Sequence, residues 1–286
     1  MPELPEVEVI VKGLKSNILG LNIIDFWTDY EPYLQLPKNK QKFKKLILKK
    51  KILKIERKGK GILFNLSSNF CLFVQQKMTG IFILTSFQKP KEKFLKRIKK
   101  ENKFVHLVLF LEKRKAILFS DPRKFGKFFL GDKKQILNLP FLKNLGANPF
   151  SFEFTFEKFL ELLKKHNKKI LKNFLMDQKV IAGIGNIYAN EILWKAKLSP
   201  KRKAGTLSIR KAKDLYNAIL FILKKAIKYQ GSSISDFLNV YGEKGNYQDV
   251  FYVYGRTKEK CFRCQGRIKR VKINQRSAYF CSQCQK

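Results

Sequence analysis

Acidic residues, histidine and long apolar runs are what this 286-residue chain has least of. No stretch reaches the roughly 18 apolar residues that a membrane-spanning helix needs, so a transmembrane span is excluded. The opening Met-Pro-Glu-Leu-Pro-Glu-Val-Glu is acidic where a secretory or transit peptide would be basic, and a cytoplasmic protein that does not engage membranes is expected. With only His106 and His166 present, histidine-based acid–base chemistry has too few members, and both are expected to be structural or exposed. No repeat of solenoid period is visible. At nearly twice the ~150-residue domain length, the chain is too long for a small stapled scaffold, and two domains are expected.

Against 22 acidic residues stand 61 Lys and Arg, a formal charge of +39. An excess of that size, spread along the chain, calls for a polyanionic partner. A hydrophobic fraction of 44% with 26 Phe is far too apolar for a disordered basic tail, so the chain is basic while folded. Fifty of the cations are Lys and eleven Arg, alongside much Ile, Phe and Asn, a mix that an AT-rich genome also produces. Lysine-rich stretches such as 38–60 and 89–103 therefore read as solvated faces, and the arginines are the more informative.

Apolar positions at Val7, Ile10, Val11, Leu14 and Ile18 have amphipathic helical spacing, and Gly20 stops that helix. From 22 to 131 the pattern changes to short β-branched and aromatic runs at 45–55, 62–66, 71–76, 104–111, 116–120 and 127–130, separated by turn residues. This predicts a β-sandwich domain over 1–131 behind the first helix. Residues 132–149 have no sustained period and read as a linker. A helical domain is placed at 150–255: one helix over 156–176, a glycine-punctuated turn at 182–186, a second helix over 187–196, and a longer one from Ser208 to Gly231. The long helix carries an apolar stripe at Leu215, Ala218, Ile219, Ile222, Ala226 and Tyr229. Helix, tight turn, helix suits nucleic-acid docking, and residues 232–255 read as a loop. The fold class is α+β.

Residues 256–286 form a cysteine module. Cys261 and Cys264, then Cys281 and Cys284, make two C-x2-C knuckles sixteen residues apart, a spacing that presents four thiolates to one Zn²⁺. Two disulfides are the alternative, disfavoured in a chain with an extra Cys71 and no signal peptide. Cys71, in an apolar run, reads as a core residue. Four protein ligands leave no open position, so the metal is structural. Five of the eleven arginines lie in this module, among them Arg270 and Arg276, and guanidinium forks suit phosphates.

Pro2, Glu3, Pro5, Glu6 and Glu8 crowd the start of the first helix, where proline and carboxylates are at home in any protein. Position adds a second meaning. Removal of Met1 would leave Pro2 with a free secondary amine, and an α-amino group, with a pKa near 7.7–8.0, is substantially neutral around pH 7. Such an amine attacks electrophilic carbon to give an iminium, with a neighbouring acid as proton donor.

That amino terminus resembles the bacterial formamidopyrimidine-DNA glycosylases. The likeness runs on through Lys58-Gly59-Lys60, Met78-Thr79-Gly80, residues 121–126 (Asp-Pro-Arg-Lys-Phe-Gly), 175–178 (Leu-Met-Asp-Gln), 182–188 (Ala-Gly-Ile-Gly-Asn-Ile-Tyr), Gly231-Ser232-Ser233, 242–245, 253–256 and the cysteine module. Several independent motifs in one order cover essentially the whole chain. The resemblance implies a bifunctional DNA glycosylase and abasic-site lyase for oxidised purines, acting on damaged double-stranded DNA as a monomer, with one structural Zn²⁺ and no catalytic cofactor. It implies Pro2 as nucleophile, Glu3 as general acid with Glu6 in support, Lys60 on the lesion's phosphate and in β-elimination, and Arg276 in δ-elimination. Met78, Arg123 and Phe125 match the residues that fill the void left by a flipped nucleotide, a role suited to a flexible wedge, a guanidinium donor and an aromatic wedge. Gly183, Gly185 and Asn186 match a helix-two-turn-helix phosphate site, near which Lys168 and Lys172 are placed. Tyr254 and Arg270 match further phosphate contacts, and the loop over about 231–248 matches the segment that caps the flipped base.

Three positions depart from the family pattern. Gln75 and Phe104 stand where relatives carry His, and Gln275 replaces a glycine before Arg276. Gln75 can donate a hydrogen bond but no charge and Phe104 can do neither, which touches backbone contacts and leaves the chemistry alone. A sister reading, an endonuclease VIII-type glycosylase for oxidised pyrimidines, conflicts with Leu4, Arg123 and Phe125. The other alternative is a zinc-ribbon nucleic-acid binder without catalysis, against which stand the intact Pro2, Glu3 and Lys60.

Overall fold

The computed structural model describes residues 1–88 and 90–286, which divide by contacts into one unit of residues 1–143 with 230–245 and another of 144–229 with 246–286. The expected linker at 132–149 is crossed by this division, and residues 230–245, expected with the helical domain, group with the first unit. The reason is packing: Phe237 and Val240 lie in the first unit's core.

In the first unit, α1 (Leu4–Ile18) buries all five residues of its apolar stripe. Gly20, at φ +79°, then turns the chain into β1 (Ile23–Thr28). β2 (Leu34–Leu36) and α2 (Lys40–Ile47) follow, then β3 (Ile52–Lys58), β4 (Gly61–Leu66), β5 (Phe70–Gln75), β6 (Ile81–Ser86), α3 (Lys91–Glu101), β7 (Val105–Leu111), β8 (Lys115–Ser120) and β9 (Lys127–Asp132). Short helices α4 (Lys133–Leu137) and α5 (Pro140–Lys143) close the run. The strands form an antiparallel sheet in the order β1-β7-β8-β6 and a five-stranded sheet β2-β9-β5-β4-β3, parallel only between β2 and β9. Phe82, Leu107, Leu109, Ile117 and Phe119 of the first sheet share one core with Phe64, Leu72, Val74, Phe128 and Leu130 of the second, so the two sheets make the expected sandwich.

Two lysine-rich stretches behave differently from their sequence reading. The 45–55 run was expected to be extended. Instead Phe43 and Ile47, four apart, bury one face of α2, Asn39 caps its start, and the strand begins only at Ile52. The 89–103 stretch, expected to be a solvated face, contains α3, whose Phe94 and Ile98 repeat the i, i+4 pattern. They cover Val108 and Phe110 on the outer face of the first sheet, which is why β7 is buried on both faces. Burying each such side chain is worth about 1.5–3 kcal/mol, enough to outweigh the polarity of the flanking lysines.

The second unit contains α6 (Phe156–Lys165), α7 (Leu171–Met176), α8 (Asn186–Lys195), α9 (Ile209–Lys228) and the hairpin β10 (Ile268–Ile273) with β11 (Arg276–Cys281). The single helix expected over 156–176 is two. Between them the backbone turns aside to pair with another segment: Ile170 bridges Lys203, and the Leu171 N–H donates to the Arg202 carbonyl. Ser208 caps α9, and five of its six stripe residues are buried, Tyr229 being half-buried at the helix end. Among the described residues no helix is long and apolar enough to cross a membrane.

Candidate active site and nucleic-acid contacts

The amino terminus is built around two buried carboxylates. Glu6 Oε2 accepts the Glu3 backbone N–H at 2.8 Å, satisfying a donor that the helix start leaves open. Its other oxygen accepts the Ser232 N–H at 2.9 Å, beneath Gly231 at φ +78°, where an added Cβ would press on the Glu6 side chain. Both acceptors of Glu6 are thus engaged in holding backbone, and Glu3 and Pro2 are buried beside it. Burial lowers the pKa of the Met1 amine from its ordinary value, the negative charges of Glu3 and Glu6 oppose the shift, and the positive charge of Lys60 adds to it. Lys60 sits in the β3–β4 turn after Gly59, which has φ +59°. That hairpin is tied to α1 by buried Arg57, whose Nε meets Glu8 Oε2 at 2.8 Å and whose Nη1 donates to the Gly59 carbonyl at 3.2 Å. Pro2, Glu3 and Glu6 are neighbours at the start of α1, and Lys60, more than fifty residues on, comes from the β3–β4 hairpin tied to that helix.

Met78 and Phe125 project with nearly half their surface exposed, on the β5–β6 and β8–β9 loops. Arg123 joins them: its Nη1 lies 3.4 Å from Met78 Sδ and its guanidinium 4.6 Å from the centre of the Phe125 ring. Exposed apolar and cationic side chains gathered at loop tips are suited to insertion between stacked bases. Gln75 ends β5, and Phe104 is exposed before β7.

In the second unit, Gln178 knits the turn into α8: its Nε2 donates to the carbonyls of Met176 and Ile184, and its Oε1 accepts the Gly183 N–H. Gly183 adopts φ +101° and Gly185 caps α8. The Asn186 side-chain oxygen at this helix start is buried without a hydrogen-bond partner. Lys168 is exposed. Lys172, expected on a phosphate, is instead fully buried and donates to the Ser277 carbonyl of β11. Burial, with the charge of Arg276, lowers its pKa to about 8. Arg276 itself is exposed beside a turn in which Asn274 and Gln275 have φ +45° and +60°, the left-handed pair of a tight hairpin turn. Gln275 thus adopts the backbone a glycine would take there. Arg270 Nε donates to Ser277 Oγ at 3.1 Å, and the Tyr254 ring packs 5.0 Å from Tyr279.

The four Sγ atoms of Cys261, Cys264, Cys281 and Cys284 lie within 4.8 Å of one another, with the 261–284 and 264–281 pairs at 3.8 and 3.4 Å. A tetrahedron of ~2.3 Å Zn–S bonds has edges near 3.8 Å, so the donor set fits one Zn²⁺. Burial raises the Cys261 pKa, but hydrogen bonds from the Trp194 indole and the Arg263 and Cys264 backbone outweigh it and bring the value to about 6. Cys71 is buried in β5, as expected.

Several residues that hold these groups were not anticipated. The buried Glu191 carboxylate of α8 accepts the backbone N–H groups of Tyr252, Val253 and Tyr254, and burial raises its pKa. Asn190 accepts the Tyr279 N–H, and Trp194 donates to Cys261 Sγ at 3.3 Å. One signal was available: α8 is apolar nearly all round, so its Asn and Glu had no solvent face to occupy. His106 is buried, with Nδ1 2.8 Å from Asp29 Oδ1, which is a structural role.

Family models match the chain in three consecutive stretches: formamidopyrimidine-DNA glycosylase N-terminal domain over residues 1–128, formamidopyrimidine-DNA glycosylase H2TH domain over 145–238, and the zinc finger found in FPG and IleRS over 258–286. The formamidopyrimidine-DNA glycosylase of Pelotomaculum thermopropionicum is 36% identical over 286 residues, covering 100% of this chain and 99% of the relative. Among solved structures, a complex of Lactococcus lactis Fpg with DNA containing an abasic site superimposes with a TM-score of 0.85 at 34% identity, covering 99% of each chain. MutM in complex with carbocyclic 8-oxo-G containing DNA gives 0.85 at 35% identity over 100% of each chain.

Proposed function

The chain belongs to the formamidopyrimidine-DNA glycosylase family, and from that premise we propose that it removes oxidised purines, 8-oxoguanine and formamidopyrimidines, from duplex DNA and cuts the strand at the resulting abasic site. Its place of work is the bacterial cytosol, at the nucleoid. The observation that carries the chemistry is the buried start of the chain, where Pro2 lies beside the buried carboxylates of Glu3 and Glu6 and within the electrostatic reach of Lys60.

Once Met1 is removed, the secondary amine of Pro2 becomes the terminus. An α-amino group, with an ordinary pKa near 7.7–8.0, is in part neutral near pH 7, and the neutral amine is the nucleophile. It attacks C1′ of the damaged nucleotide as the bond from C1′ to the base breaks. Glu3 supplies a proton to the opening sugar, and Glu6, with both oxygens committed to Glu3 and Ser232, holds the helix start in place. The iminium so formed acidifies the C2′ hydrogens, so β-elimination expels the 3′ phosphate and δ-elimination the 5′ phosphate. Lys60 assists the first and Arg276 the second. Met78, Arg123 and Phe125 fill the space vacated by the flipped nucleotide, which costs a few kcal/mol to extrude.

Lys168, Gly185, Asn186, Tyr254 and Arg270 take the phosphate backbone. Lys172 serves the same surface indirectly, by fixing Ser277 of the β11 strand. The four cysteines would hold one zinc ion, which would fix the ribbon's shape.

Incubation with an 8-oxoguanine·cytosine duplex and borohydride, followed by mass spectrometry of the trapped adduct, tests the reading. A reduced cross-link at Pro2 is expected, and Pro2→Gly is expected to abolish excision while damaged-duplex binding persists. An adduct formed only with an oxidised-pyrimidine duplex would move the protein to the endonuclease VIII type. No adduct with any lesion or abasic site would leave a non-catalytic binder.

A further inference from the structure

Beneath the exposed Met78, Arg123 and Phe125 lies a buried carboxylate that the chemistry above does not use. Asp121 is completely buried. One of its oxygens accepts the hydroxyl of Thr79, the neighbour of Met78, and the other accepts the Gly126 N–H, next to Phe125, at 2.8 Å. The circuit closes through the Arg123 N–H, which lies 3.4 Å from Thr79 Oγ1. One side chain therefore bonds both loops that carry the three exposed groups. The Phe119 ring fills the space below: a Cβ added at either Gly80 or Gly126 would come within 2.5–2.6 Å of it, so both loops rest on the same ring at closest approach.

We propose that Asp121 and Thr79 are positioning residues for base extrusion, locking the two loops into one rigid wedge. The inference rests on the glycosylase reading. Three side chains on two independent loops would enter a duplex as separate mobile groups, and ordering them on contact would consume binding free energy. Bonded to one buried anion, they are ordered beforehand. A bond to a charged partner is stronger than a neutral one, and its loss inside the protein leaves a desolvated carboxylate oxygen. Neither residue is among those assigned to the amine chemistry, so that chemistry is not expected to depend on the lock.

Thr79→Val keeps the shape and removes the donor, Thr79→Ser keeps the hydroxyl, and Asp121→Asn keeps the volume. In single-turnover assays Thr79→Val and Asp121→Asn are expected to slow excision from an 8-oxoguanine·cytosine duplex by about tenfold. Both are expected to cleave an abasic site in single-stranded DNA, which has no void to fill, at the wild-type rate, and Thr79→Ser is expected to restore excision. An equal fall on both substrates would make the pair merely structural and overturn the proposal, as would wild-type excision by Thr79→Val. Wild-type excision in the same assay upholds the glycosylase reading whichever way the variants behave. A wild-type protein that excised nothing would overturn that reading and the lock with it.

Discussion

Each unit presents an exposed tip above a fully buried charge, and the two solutions are opposite in sign. In the first, Met78, Arg123 and Phe125 stand over Asp121; in the second, Arg276 stands beside Lys172. The anion gathers donors from two loops, because turns leave N–H and hydroxyl groups open and a carboxylate can accept several at once. The cation has a bond to a single carbonyl, that of Ser277, and the like charge of Arg276 works against it. A buried anion can hold loops unaided, whereas this buried cation needs help. The help is visible in Asn190, which accepts the Tyr279 N–H, and in the cysteine cluster that closes the ribbon.

The harshest way to break this comparison is to remove the metal. Zinc binding in such ribbons supplies about 10 kcal/mol or more of folding free energy, so chelation or Cys281→Ser is expected to unravel the hairpin and weaken DNA binding, with the first unit left folded. Trp194, bonded to Cys261 Sγ, reports the event through its fluorescence. Unchanged emission and affinity in the zinc-free protein would mean that the cationic tip stands unaided after all. Next in size, Asp121→Ala strands the Thr79 hydroxyl and the Gly126 N–H and is expected to cost about 3 kcal/mol by urea unfolding; a loss under 1 kcal/mol would show that the loops hold themselves.

Lys172 sharpens the contrast through pH. Folding lowers its pKa from 10.5 to about 8, so between these values the unfolded chain binds a proton that the folded one has released, and stability gains from this group as pH rises through that window. The gain amounts to about 3 kcal/mol, and Lys172→Met is expected to abolish it. Parallel urea midpoints for the two proteins from pH 8 to 10.5 would deny the strain at Lys172. The smallest effect belongs to Gln275→Gly, which relieves a left-handed non-glycine backbone and is expected to add about 0.5–1 kcal/mol, readable as a higher melting temperature. A lower one would mean that the Gln275 side chain supports the hairpin.

What could be read from the sequence followed the physics of local signals. The zinc cysteines, the α1 stripe and most of the sandwich strands are fixed by spacing within a few residues, and the proposed catalytic residues are reachable because the motifs that carry them are contiguous. Helix α3 was hidden because only Phe94 and Ile98 mark its buried face among lysines. The break between α6 and α7 was hidden because it depends on residues 202 and 203, thirty positions away. Asp121 and Lys172 look like ordinary surface charges in sequence; only the third dimension encloses them. Sequence alone places Lys172 on a phosphate, a role its burial reverses.

The segment that bonds Glu6 arrives late. Residues 1–143 and 230–245 form one unit, yet a ribosome making about 5–20 residues per second needs some 5–20 s to travel from the end of the first piece to the end of the second. Throughout that interval the sandwich can fold while Ser232 does not yet exist to meet the Glu6 carboxylate, and Val240 is not there to fill the space above Gly13. The nascent first unit therefore lacks the groups that engage the Glu6 carboxylate and pack against Gly13 in the complete chain. Completion of the site is timed by translation itself, since the helical unit must be synthesised almost up to its ribbon before the earlier half of the chain can close.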